Sequence, residues 1–334
     1  MKVTLKDIAR ETGYSISTIS RVLSDSGKIS EKTRDDVLSA AKKLHYPHAG
    51  FRNFKDHEQL NIAIITDFRE GEFYASYFFG FLEVARSEQV RLSLLSISNP
   101  REELETCIAE LIQEQYYDGF IFFLPDLERD NYELLLEIIP ENFPVVSNAM
   151  IDNPVFSTIT FDAYSGGYQA ARLFYEQGFR RVGIVKGPPE RADGRFRYNG
   201  FRDFANTKKD MTLEWECDGD FTFDSGAYAF EHLQAHGTLP EAVFICNDLM
   251  ATGFIDNATS SGLRIPENMA VLAYDDLPMS RHSKPAISSI RTDFEQLATA
   301  TLRIIKNQTE QKAPQQGILS LIPVSISVRE SIRS

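Results

Sequence analysis

The sequence predicts a small three-helix head followed by a two-lobed α/β core with parallel sheets. Three observations predict this fold class. Apolar residues recur at helical spacing through the first 46 residues, short apolar runs alternate with helical segments beyond residue 60, and that alternation starts a second time near residue 158. A chain of 334 residues with 43% hydrophobic and 25% charged residues has the length and composition of two or three globular domains.

The head is predicted to begin with a helix of about two turns. Leu5, Ile8 and Ala9 are spaced i, i+3 and i+4, as one buried face of a helix requires. Thr4 stands where such a helix is capped, and Gly13 stands where it must end.

The second and third helices follow from the same spacing. Ser15 is a candidate cap for the second helix, and Ser30 opens the third, which is predicted to run until Tyr46-Pro47. The apolar stripes are Ile16, Ile19, Val22 and Leu23 in the second helix and Val37, Leu38, Ala41 and Leu44 in the third. Together with the first helix they can close one small core.

The polar side of the second helix indicates a function. Its stretch GYSISTISRVL, residues 13–23, places short hydroxyl residues between isoleucines and then presents Arg21. Two helices joined by a tight glycine-containing turn match the helix-turn-helix plan of DNA-binding domains. Short hydroxyl side chains let a helix approach the floor of the major groove, where Arg21 can reach guanine O6 and N7. The pattern alone leaves open a solvated bundle whose serines are surface residues.

Charge is unevenly distributed along the chain. Residues 1–55 hold 11 Lys and Arg against 6 Asp and Glu, whereas the remainder holds 24 against 42. A basic head on an acidic body favours contact between the head and a polyanion, although an ordinary solvated helical face can give the same asymmetry.

Beyond the head, residues 48–60 mix charge with Gly50 and lack a long apolar stripe, which is typical of a linker. The strand-like apolar runs that follow are NIAIITD (61–67), RLSLLSI (91–97), GFIFFLP (119–125), PVVSNA (144–149), TITFD (158–162), RVGIVKG (181–187), AVFICND (242–248) and AVLAYDD (270–276). The helical segments between them are Tyr77–Ala85, Glu102–Ile112, Tyr164–Gln177, Arg197–Ala205, Ser225–His236 and Met250–Ser261. This alternation predicts two similar lobes with parallel sheets, and a ligand site between them at the carboxyl ends of the strands.

Composition excludes several classes of protein. Cys107, Cys217 and Cys246 are far apart and odd in number, which fits neither a disulfide framework nor a CxxC metal site and indicates a reducing compartment. The N-terminus MKVTLKDIAR lacks the apolar segment of a signal peptide, and no apolar run has the length of a membrane-spanning helix. We therefore expect a cytoplasmic protein.

Enzyme signatures are also lacking. The sequence contains no GxSxG, Walker A or GxGxxG motif. His232 and His236 have the i, i+4 spacing of metal ligands, but no third ligand is apparent, so a solvated helix face is the better interpretation. Asp275 and Asp276 have the form of an acid/base pair, yet no nucleophile accompanies them. We expect no catalytic residues, no metal and no cofactor.

Several segments carry a resemblance to a known family. The head, TLKDIARETGYSISTISRVLSDSGKISEKTRDDVLSAAKKLHY, resembles the DNA-binding domain of the LacI/GalR family of bacterial transcription regulators nearly position for position. Further segments resemble family signatures in order along the core: FDAYSGGYQAARLFYEQGFRRVGIVKGPPER, RYNGF, FICNDLMATGFIDNATSSGLRIPENMAVLAYDD, KPAISSIR and VSISVRES. The resemblance covers essentially the whole chain.

The resemblance implies three parts, the last of them built like a periplasmic sugar-binding protein. They are a helix-turn-helix DNA-binding domain over 1–46, a hinge or linker over 47–59, and an effector-binding core over 60–334, with lobe one at about 60–160 and 291–320 and lobe two at about 161–290 and 321–334. It also implies a homodimer whose heads bind a near-palindromic operator. Effector binding would change the angle between the lobes, and so the operator affinity. We expect a repressor rather than an activator, and a dimer, because the chain ends at Ser334 without room for a tetramerisation heptad.

Carried over residue by residue, the resemblance implies a set of base and phosphate contacts. These positions are Thr4, Ser15, Ile16, Ser17, Thr18, Arg21, Ser30, Thr33 and Tyr46. Ile16 and Ser17 would select the operator, Ile16 through apolar contact with a thymine methyl and Ser17 through a hydrogen bond.

The hinge departs from the family pattern. FRNF replaces the Ala-Arg-x-Leu pattern, so Phe54 becomes the candidate wedge for the minor groove of the operator. Gly50 lowers the helix propensity of this segment by about 1 kcal/mol relative to alanine. The alternative is a flexible tether with Phe54 packed on the core.

The resemblance also implies an effector site in the core. Its positions are Phe73, Tyr74, Arg191, Arg197, Phe221, Asn247 and Asp275. An aromatic face with Arg, Asn and Asp around it binds a polar ring, and sugars and nucleobases both qualify. Ala149 stands where the first lobe of the family usually offers a pocket aspartate, so one acceptor for a sugar hydroxyl is missing.

We expect a sugar or sugar derivative as the effector of a repressor of carbohydrate-uptake or catabolic genes. The alternative is a nucleobase acting as co-repressor, because GPPER resembles purine-responsive members of the family at that point. A sugar-binding protein without a regulatory role would leave the basic head unexplained.

Overall fold

The three-helix head and the two-lobed core are both present in the computed structural model, which describes residues 3–23, 29–44, 46, 59–67, 69, 71–311 and 316–332. The head consists of α1 (Leu5–Thr12), α2 (Ile16–Leu23) and α3 (Glu31–Lys43). Its buried core contains Ile8, Ile19, Val22, Val37, Leu38, Ala40 and Ala41. The predicted stripes therefore meet, but α3 ends at Lys43 rather than at Tyr46-Pro47.

The helix ends in the head form as the sequence predicts. The backbone N–H and the hydroxyl of Thr4 both donate to Asp7 Oδ2, at 2.9 and 2.7 Å. Gly13 adopts φ 75°, a left-handed conformation that glycine tolerates without strain, and its N–H closes the last turn on Ala9 O. Ser15 Oγ accepts from the Thr18 N–H at 3.1 Å, which fixes the start of α2.

The first lobe is built on a six-stranded sheet in the order β11-β5-β4-β3-β1-β2, with all neighbouring strands parallel. Its elements up to β5 are β1 (Leu60–Thr66), α4 (Glu72–Ser87), β2 (Val90–Ser96), α5 (Pro100–Glu114), β3 (Gly119–Phe123), α6 (Arg129–Leu134) with a 3₁₀ turn (Leu135–Glu137), β4 (Val145–Ser147) and β5 (Ser157–Phe161). Every residue of β3 is buried, as expected for a central strand covered by helices on both faces.

The second lobe has a six-stranded sheet in the order β12-β10-β9-β8-β6-β7. Its elements are α7 (Ala163–Glu176), β6 (Arg181–Val185), α8 (Ala192–Asn206), β7 (Thr212–Cys217), α9 (Phe223–His236), β8 (Ala242–Ile245), α10 (Asp248–Ser260), β9 (Ala270–Asp275), α11 (Pro278–His282) and β10 (Ser288–Arg291). The chain then returns to the first lobe with α12 (Phe294–Gln311) and β11 (Leu319–Ile322), and ends in the second lobe with β12 (Ser325–Ser327). Within the described residues, the chain thus crosses between the lobes after β5, after β10 and after β11.

The structure corrects several details of the sequence prediction. β12 pairs antiparallel with β10, so the second sheet is mixed rather than wholly parallel. Asp248 was included in a predicted strand but opens α10 instead. The sequence TLEWEC, residues 212–217, forms the edge strand β7, which was not predicted because an edge strand keeps one side in water and so lacks a continuous apolar run.

Candidate functional site

A cleft of about 240 Å³ lies between the two lobes, where strands of both sheets end. All seven predicted effector positions line it, namely Phe73, Tyr74, Arg191, Arg197, Phe221, Asn247 and Asp275. We call this space the effector cleft. Phe73 and Tyr74 lie in the first turn of α4, and the other five belong to the second lobe. The residues are up to 202 positions apart in sequence, so the fold alone brings them together.

Helix starts position the polar side chains of the cleft. Arg191 is the N-cap residue of α8, and Arg197 lies in the second turn of the same helix. Asn247 is the N-cap residue of α10, where its Oδ1 accepts from the Met250 N–H at 2.9 Å. Its Nδ2 donates to Phe221 O at 2.9 Å, which holds the loop in which Phe221 adopts φ 69°. In this structure Asn247 therefore orients Phe221 as well as lining the cleft.

Aromatic rings enclose the two guanidinium groups. The Arg197 guanidinium lies 3.7 Å from the Tyr274 ring centroid and 5.4 Å from that of Phe221. The Arg191 guanidinium lies 4.8 Å from the Phe221 centroid. Cation–π attraction is strongest where water is excluded, and Arg197 is buried.

Two carboxylates neutralise these guanidinium groups. Arg191 donates twice to Asp193, at 3.1 Å from Nε and 2.8 Å from Nη2. Arg197 Nη2 lies 3.7 Å from Asp193 Oδ2 and 3.5 Å from Asp275 Oδ1, and its Nη1 donates to Cys246 O. Asp193 was missed by the sequence analysis, although it precedes Arg197 by four residues, the spacing at which helical side chains pair.

Burial and charge act in opposite directions on the pKa values of these acids. Burial raises the pKa of Asp193, but Arg191 and Arg197 together hold it below its ordinary value. Burial raises the pKa of Asp275 above its ordinary value, and Arg197 only partly opposes that rise. Burial and the neighbouring charge of Asp275 raise the pKa of Asp248. The acids beneath the cleft thus differ in how strongly they favour ionisation.

The two consecutive aspartates at the end of β9 have different surroundings. Both have left-handed backbones, with φ 111° at Asp275 and φ 62° at Asp276. Asp275 O accepts from the N–H and the hydroxyl of Thr292, at 3.2 and 2.9 Å. The Asp276 carboxylate accepts from Arg329 and from the Ser327 hydroxyl instead. Asp275 therefore lines the cleft while Asp276 fastens the C-terminal segment, which does not support an acid/base pair.

Asp248 anchors this turn from beneath. Its Oδ2 accepts from the Leu277 N–H at 2.6 Å and its Oδ1 accepts from the Ser289 hydroxyl at 2.7 Å. The Ser289 oxygen in turn accepts from the Asp276 N–H at 3.0 Å. Strained backbone persists where its surroundings over-determine it, and these bonds supply that constraint.

Three buried polar atoms have no hydrogen bond among the described residues: Arg197 Nε and Asp275 Oδ1, whose residues line the cleft, and Tyr274 Oη, whose residue lines the small adjoining chamber. Buried polar groups nearly always have a hydrogen-bond partner. A cluster of buried groups without one, beside a cleft, indicates that a ligand or water supplies the missing hydrogen bonds.

The wall that the first lobe contributes is aromatic. Phe73 stacks on Phe123 with ring centroids 5.6 Å apart, and Phe123 stacks on Tyr77 at 4.9 Å. Phe294 meets the edge of Phe73 at 5.4 Å. Ala149, which stands where a pocket aspartate is expected from the resemblance, is buried beside this wall and lines a small adjoining chamber of about 30 Å³.

The predicted DNA-contacting side chains form the exposed side of the head. Ser15, Ile16, Ser17 and Arg21 are exposed, with 45% of Ile16 accessible, and Thr18 is half-buried. The Ser15 hydroxyl lies 2.8 Å from those of Ser17 and Thr18, so three of these hydroxyls form one cluster at the start of α2.

The remaining predicted contacts lie elsewhere on the head. Ser30 Oγ accepts from the Thr33 N–H at 3.2 Å at the start of α3, and Tyr46 is half-buried against the head core. Thr4 sits at the start of α1. Phe54 lies outside the described residues.

Other candidate sites gain no support from the structure. His232 Nδ1 accepts a hydrogen bond from Trp215 Nε1 at 3.2 Å. Across the described residues, no group of three or more His, Cys, Asp or Glu is arranged to hold a metal ion. No helix in the described part of the chain is both long and apolar enough to cross a membrane.

A helix-turn-helix head joined to a two-lobed core with an interlobe cleft defines a class, that of DNA-binding regulators with a ligand-sensing core. Family descriptions agree with this class: "Bacterial regulatory proteins, lacI family" matches residues 4–48, and "Periplasmic binding protein-like domain" matches residues 153–332. The chain belongs to the lacI family of bacterial regulatory proteins and is a DNA-binding transcriptional repressor.

Similar proteins cover the whole chain. The HTH-type transcriptional repressor PurR of Haemophilus influenzae (strain PittEE) is 28% identical, with 99% of each chain covered. PurR of Pectobacterium atrosepticum is also 28% identical, covering 98% of this chain and 96% of its own. Among solved structures, the Lac repressor bound to ONPG in its repressed state has a TM-score of 0.74 at 24% identity, covering 99% of this chain and all of that one. A complex of the transcriptional regulator CelR with cellobiose has a TM-score of 0.70 at 25% identity and the same coverage.

Proposed function

We propose that this repressor acts as a homodimer that binds a near-palindromic operator, with an affinity set by a small molecule in the effector cleft. The observation that carries the proposal is the cleft itself: side chains from both lobes line it, and unsatisfied polar atoms lie at its base. A ligand held by both lobes shifts the population toward the lobe arrangement that it contacts best.

For the DNA-binding step, we propose that α2 lies in the major groove. Arg21 would bind a guanine, while Ile16 and Ser17 select neighbouring bases. Ser15 and Thr18 would hold α2 against the backbone, and Thr4, Ser30, Thr33 and Tyr46 would contact phosphates around it. The wedge role of Phe54 stays a prediction from sequence.

The coupling step depends on the segments and contacts that join the lobes. We propose the domain division 1–46, 47–59 and 60–334, with the lobes divided as the sequence predicts. Besides the three chain crossings, the Met279 N–H donates to Glu72 Oε2 at 2.7 Å, and Arg195 Nη2 lies 2.7 Å from Asp152 Oδ2. Each of these contacts joins one lobe to the other, so a change in the angle between lobes must alter them.

The effector is proposed to be a small polar molecule, with a sugar or sugar derivative as the first expectation. Sugars and nucleobases both remain candidates, with repression of carbohydrate-uptake or catabolic genes as the expected role for a sugar. One structural neighbour is a cellobiose complex, whereas the curated relatives are named PurR. The protein would act in the cytoplasm, where its operator lies.

The test is fluorescence anisotropy of the full-length protein on DNA from upstream of its own gene, at fixed salt because phosphate contacts make affinity steeply salt-dependent. Sugars, sugar phosphates and nucleobases are added one at a time. We expect specific binding that one compound weakens or strengthens, which gives both the effector and its sign. Equal affinity for operator and scrambled DNA, unchanged by every compound, would refute the proposal.

A further inference from the structure

We propose that Ser17 meets the operator only as a hydrogen-bond acceptor, so that it selects the amino group of an adenine or a cytosine and disfavours the keto oxygen of a guanine or a thymine. Three hydroxyls at the start of α2 lead to this inference, those of Ser15, Ser17 and Thr18, and we call them the hydroxyl cluster. The inference rests on the proposed function, because it requires α2 to lie in the major groove with Thr18 against the DNA backbone.

The Ser15 hydroxyl makes its full number of hydrogen bonds within the head. Its Oγ accepts from the Thr18 N–H at 3.1 Å and lies 2.8 Å from both Ser17 Oγ and Thr18 Oγ1. A hydroxyl has one proton to donate and two lone pairs with which to accept. One lone pair receives the Thr18 N–H, so the proton and the second lone pair serve the two neighbouring hydroxyls. Ser15 therefore donates to one of them and accepts from the other.

The hydroxyl cluster can hold its protons in two orders. In the first order, Ser17 donates to Ser15 and Ser15 donates to Thr18, which leaves the Thr18 proton for a partner outside the cluster. In the second order, Thr18 donates to Ser15 and Ser15 donates to Ser17, which leaves the Ser17 proton for an outside partner. The two orders thus differ in which hydroxyl can donate to DNA.

Contact with the DNA backbone selects the first order. The oxygens of a phosphodiester accept hydrogen bonds and cannot donate them, so Thr18 must donate its proton in order to bind one. Thr18 Oγ1 then accepts from Ser15, and Ser15 accepts from Ser17. Ser17 has no proton left for a base, and only its lone pairs face the floor of the groove.

A side chain that can only accept distinguishes the base edges of the major groove. Adenine offers the N6 amino group and cytosine the N4 amino group as donors, whereas guanine O6 and thymine O4 are acceptors. Ser17 is exposed beside Ile16, whose side chain is 45% accessible and apolar. Ile16 cannot supply a proton to a keto oxygen in place of Ser17, so a keto group at this point would lose its partner.

The start of α3 has a similar pair of hydroxyls without the third. Ser30 Oγ accepts from the Thr33 N–H at 3.2 Å and lies 2.8 Å from Thr33 Oγ1. Within the described part of the head, no third hydroxyl joins this pair, so Ser30 keeps one hydrogen-bonding position for an outside partner. The proton order at the start of α2 differs because it extends to Ser17, a side chain placed to read bases.

The first experiment identifies the base pair that Ser17 reads. Binding sites are selected from random-sequence DNA at fixed salt, with the full-length parent protein and with Ser17→Ala. The base pair at which only the parent shows a preference is assigned to Ser17. If the variant keeps the preferences of the parent at every position, Ser17 does not read a base and the inference is overturned.

The second experiment removes single groups from that base pair in both half-sites and measures affinity by anisotropy. Replacing adenine by 2-aminopurine, or cytosine by 2-pyrimidinone, removes the amino group from the major groove. Replacing thymine by 5-methyl-2-pyrimidinone, or guanine by 2-aminopurine, removes the keto oxygen. We expect loss of the amino group to weaken binding of the parent at least about fivefold more than binding of Ser17→Ala, and loss of the keto oxygen to affect both proteins equally. The reverse result, or equal effects of both changes on the two proteins, would overturn the acceptor role.

Two variants test whether Thr18 sets the proton order. Thr18→Val removes the hydroxyl and keeps the branched shape, so Ser15 can donate to Ser17 and free the Ser17 proton. We expect the preference for the amino group to fall at least about threefold, together with a loss of affinity that is common to all sequences. Thr18→Ser returns a hydroxyl and should restore the preference. An unchanged preference in Thr18→Val would show that the hydroxyl cluster does not control Ser17.

Ser20→Ala is the matched control, because it removes a hydroxyl from another exposed position on α2. Its preference at the base pair read by Ser17 should equal that of the parent. A variant with an unfolded head would lose its preference at every base pair, and the comparison of the parent with Ser17→Ala would still decide the inference.

Failure of this inference can be told apart from failure of the proposed function. Specific binding in which Ser17 prefers a keto oxygen refutes the acceptor role but supports a sequence-specific repressor. Selection that yields no preferred sequence with the parent protein removes both.

Discussion

The DNA-binding head and the effector cleft differ in the burial of their polar side chains. In the head, Ser15, Ser17 and Arg21 lie at the surface, while the apolar stripes close a separate core. In the cleft, Arg197 and Asp275 are buried and neutralise each other within the protein. Surface polar groups can be changed with little effect on folding, whereas buried charges depend on their partners. Substitutions in the head should therefore change the affinity for the operator alone. Substitutions in the cleft should change both binding affinity and the stability of the fold.

The largest change in stability is expected from Arg197→Ala. It leaves Asp275 without a guanidinium in a buried site, although Asp193 keeps its two hydrogen bonds from Arg191. The free energy of unfolding should fall by about 3–5 kcal/mol. Chemical denaturation measures this value, and anisotropy of the folded fraction should show operator binding without a ligand response.

The matched control is Arg172→Ala. Arg172 is half exposed and pairs with Glu176 at the i, i+4 spacing of a helix. Its denaturation midpoint should stay close to that of the parent protein. If the two variants proved equally stable, the contrast between a buried and an exposed charge network would be lost.

Arg21→Ala should lower the affinity for the operator without lowering the stability of the core. Loss of one guanine contact costs about 1–3 kcal/mol in each head, and the proposed dimer has two heads. We therefore expect at least about a thirtyfold loss of operator affinity in anisotropy with no change in the melting temperature of the core. Operator affinity equal to that of the parent would contradict the assignment of α2 as the reading helix.

Asp248→Asn should change how stability depends on pH. Burial holds the pKa of Asp248 above its ordinary value of 3.8, so the folded state keeps a proton that the unfolded state has released. The stability associated with this group is complete below about pH 4 and falls as pH rises toward the folded-state pKa. Asparagine stays neutral, so the variant should gain stability relative to the parent as pH rises from 4 to 7.

Denaturation at several pH values measures this difference. Because Asp275 also has a raised pKa, part of the pH dependence should remain in the variant. Parallel stability curves for parent and variant across this range would show that Asp248 does not retain its proton on folding.

The smallest effect is expected from Lys43→Ala in the head. Lys43 Nζ lies 2.7 Å from Glu11 Oε1, but 74% of the lysine side chain is accessible, so water and salt screen the pair. The melting temperature should be unchanged within error. A clear drop would show that surface ion pairs contribute to the stability of the head.

Much of the candidate site could be predicted from sequence through the family resemblance, because its residues stand at recognisable positions within the matching segments. Arg191, Asn247 and Asp275 are such residues, and the structure brings them to one cleft. Asp193, Tyr274 and Phe123 were missed, since an acid in a helix and aromatics in buried strands usually belong to the surface and the core. Whether the cleft residues bind an effector stays a prediction.

By itself, the sequence determined the fold class, the three helices of the head and most of the alternating α/β elements of the core, because helical and strand periodicities are local properties of the chain. Tertiary structure decided the rest. It joined α12 and β11 to the first lobe, turned β12 antiparallel, and surrounded Arg197 with Tyr274, Phe221, Asp193 and Asp275. The physical reason is that burial and charge pairing depend on which distant segments meet, and no spacing within a short segment records that.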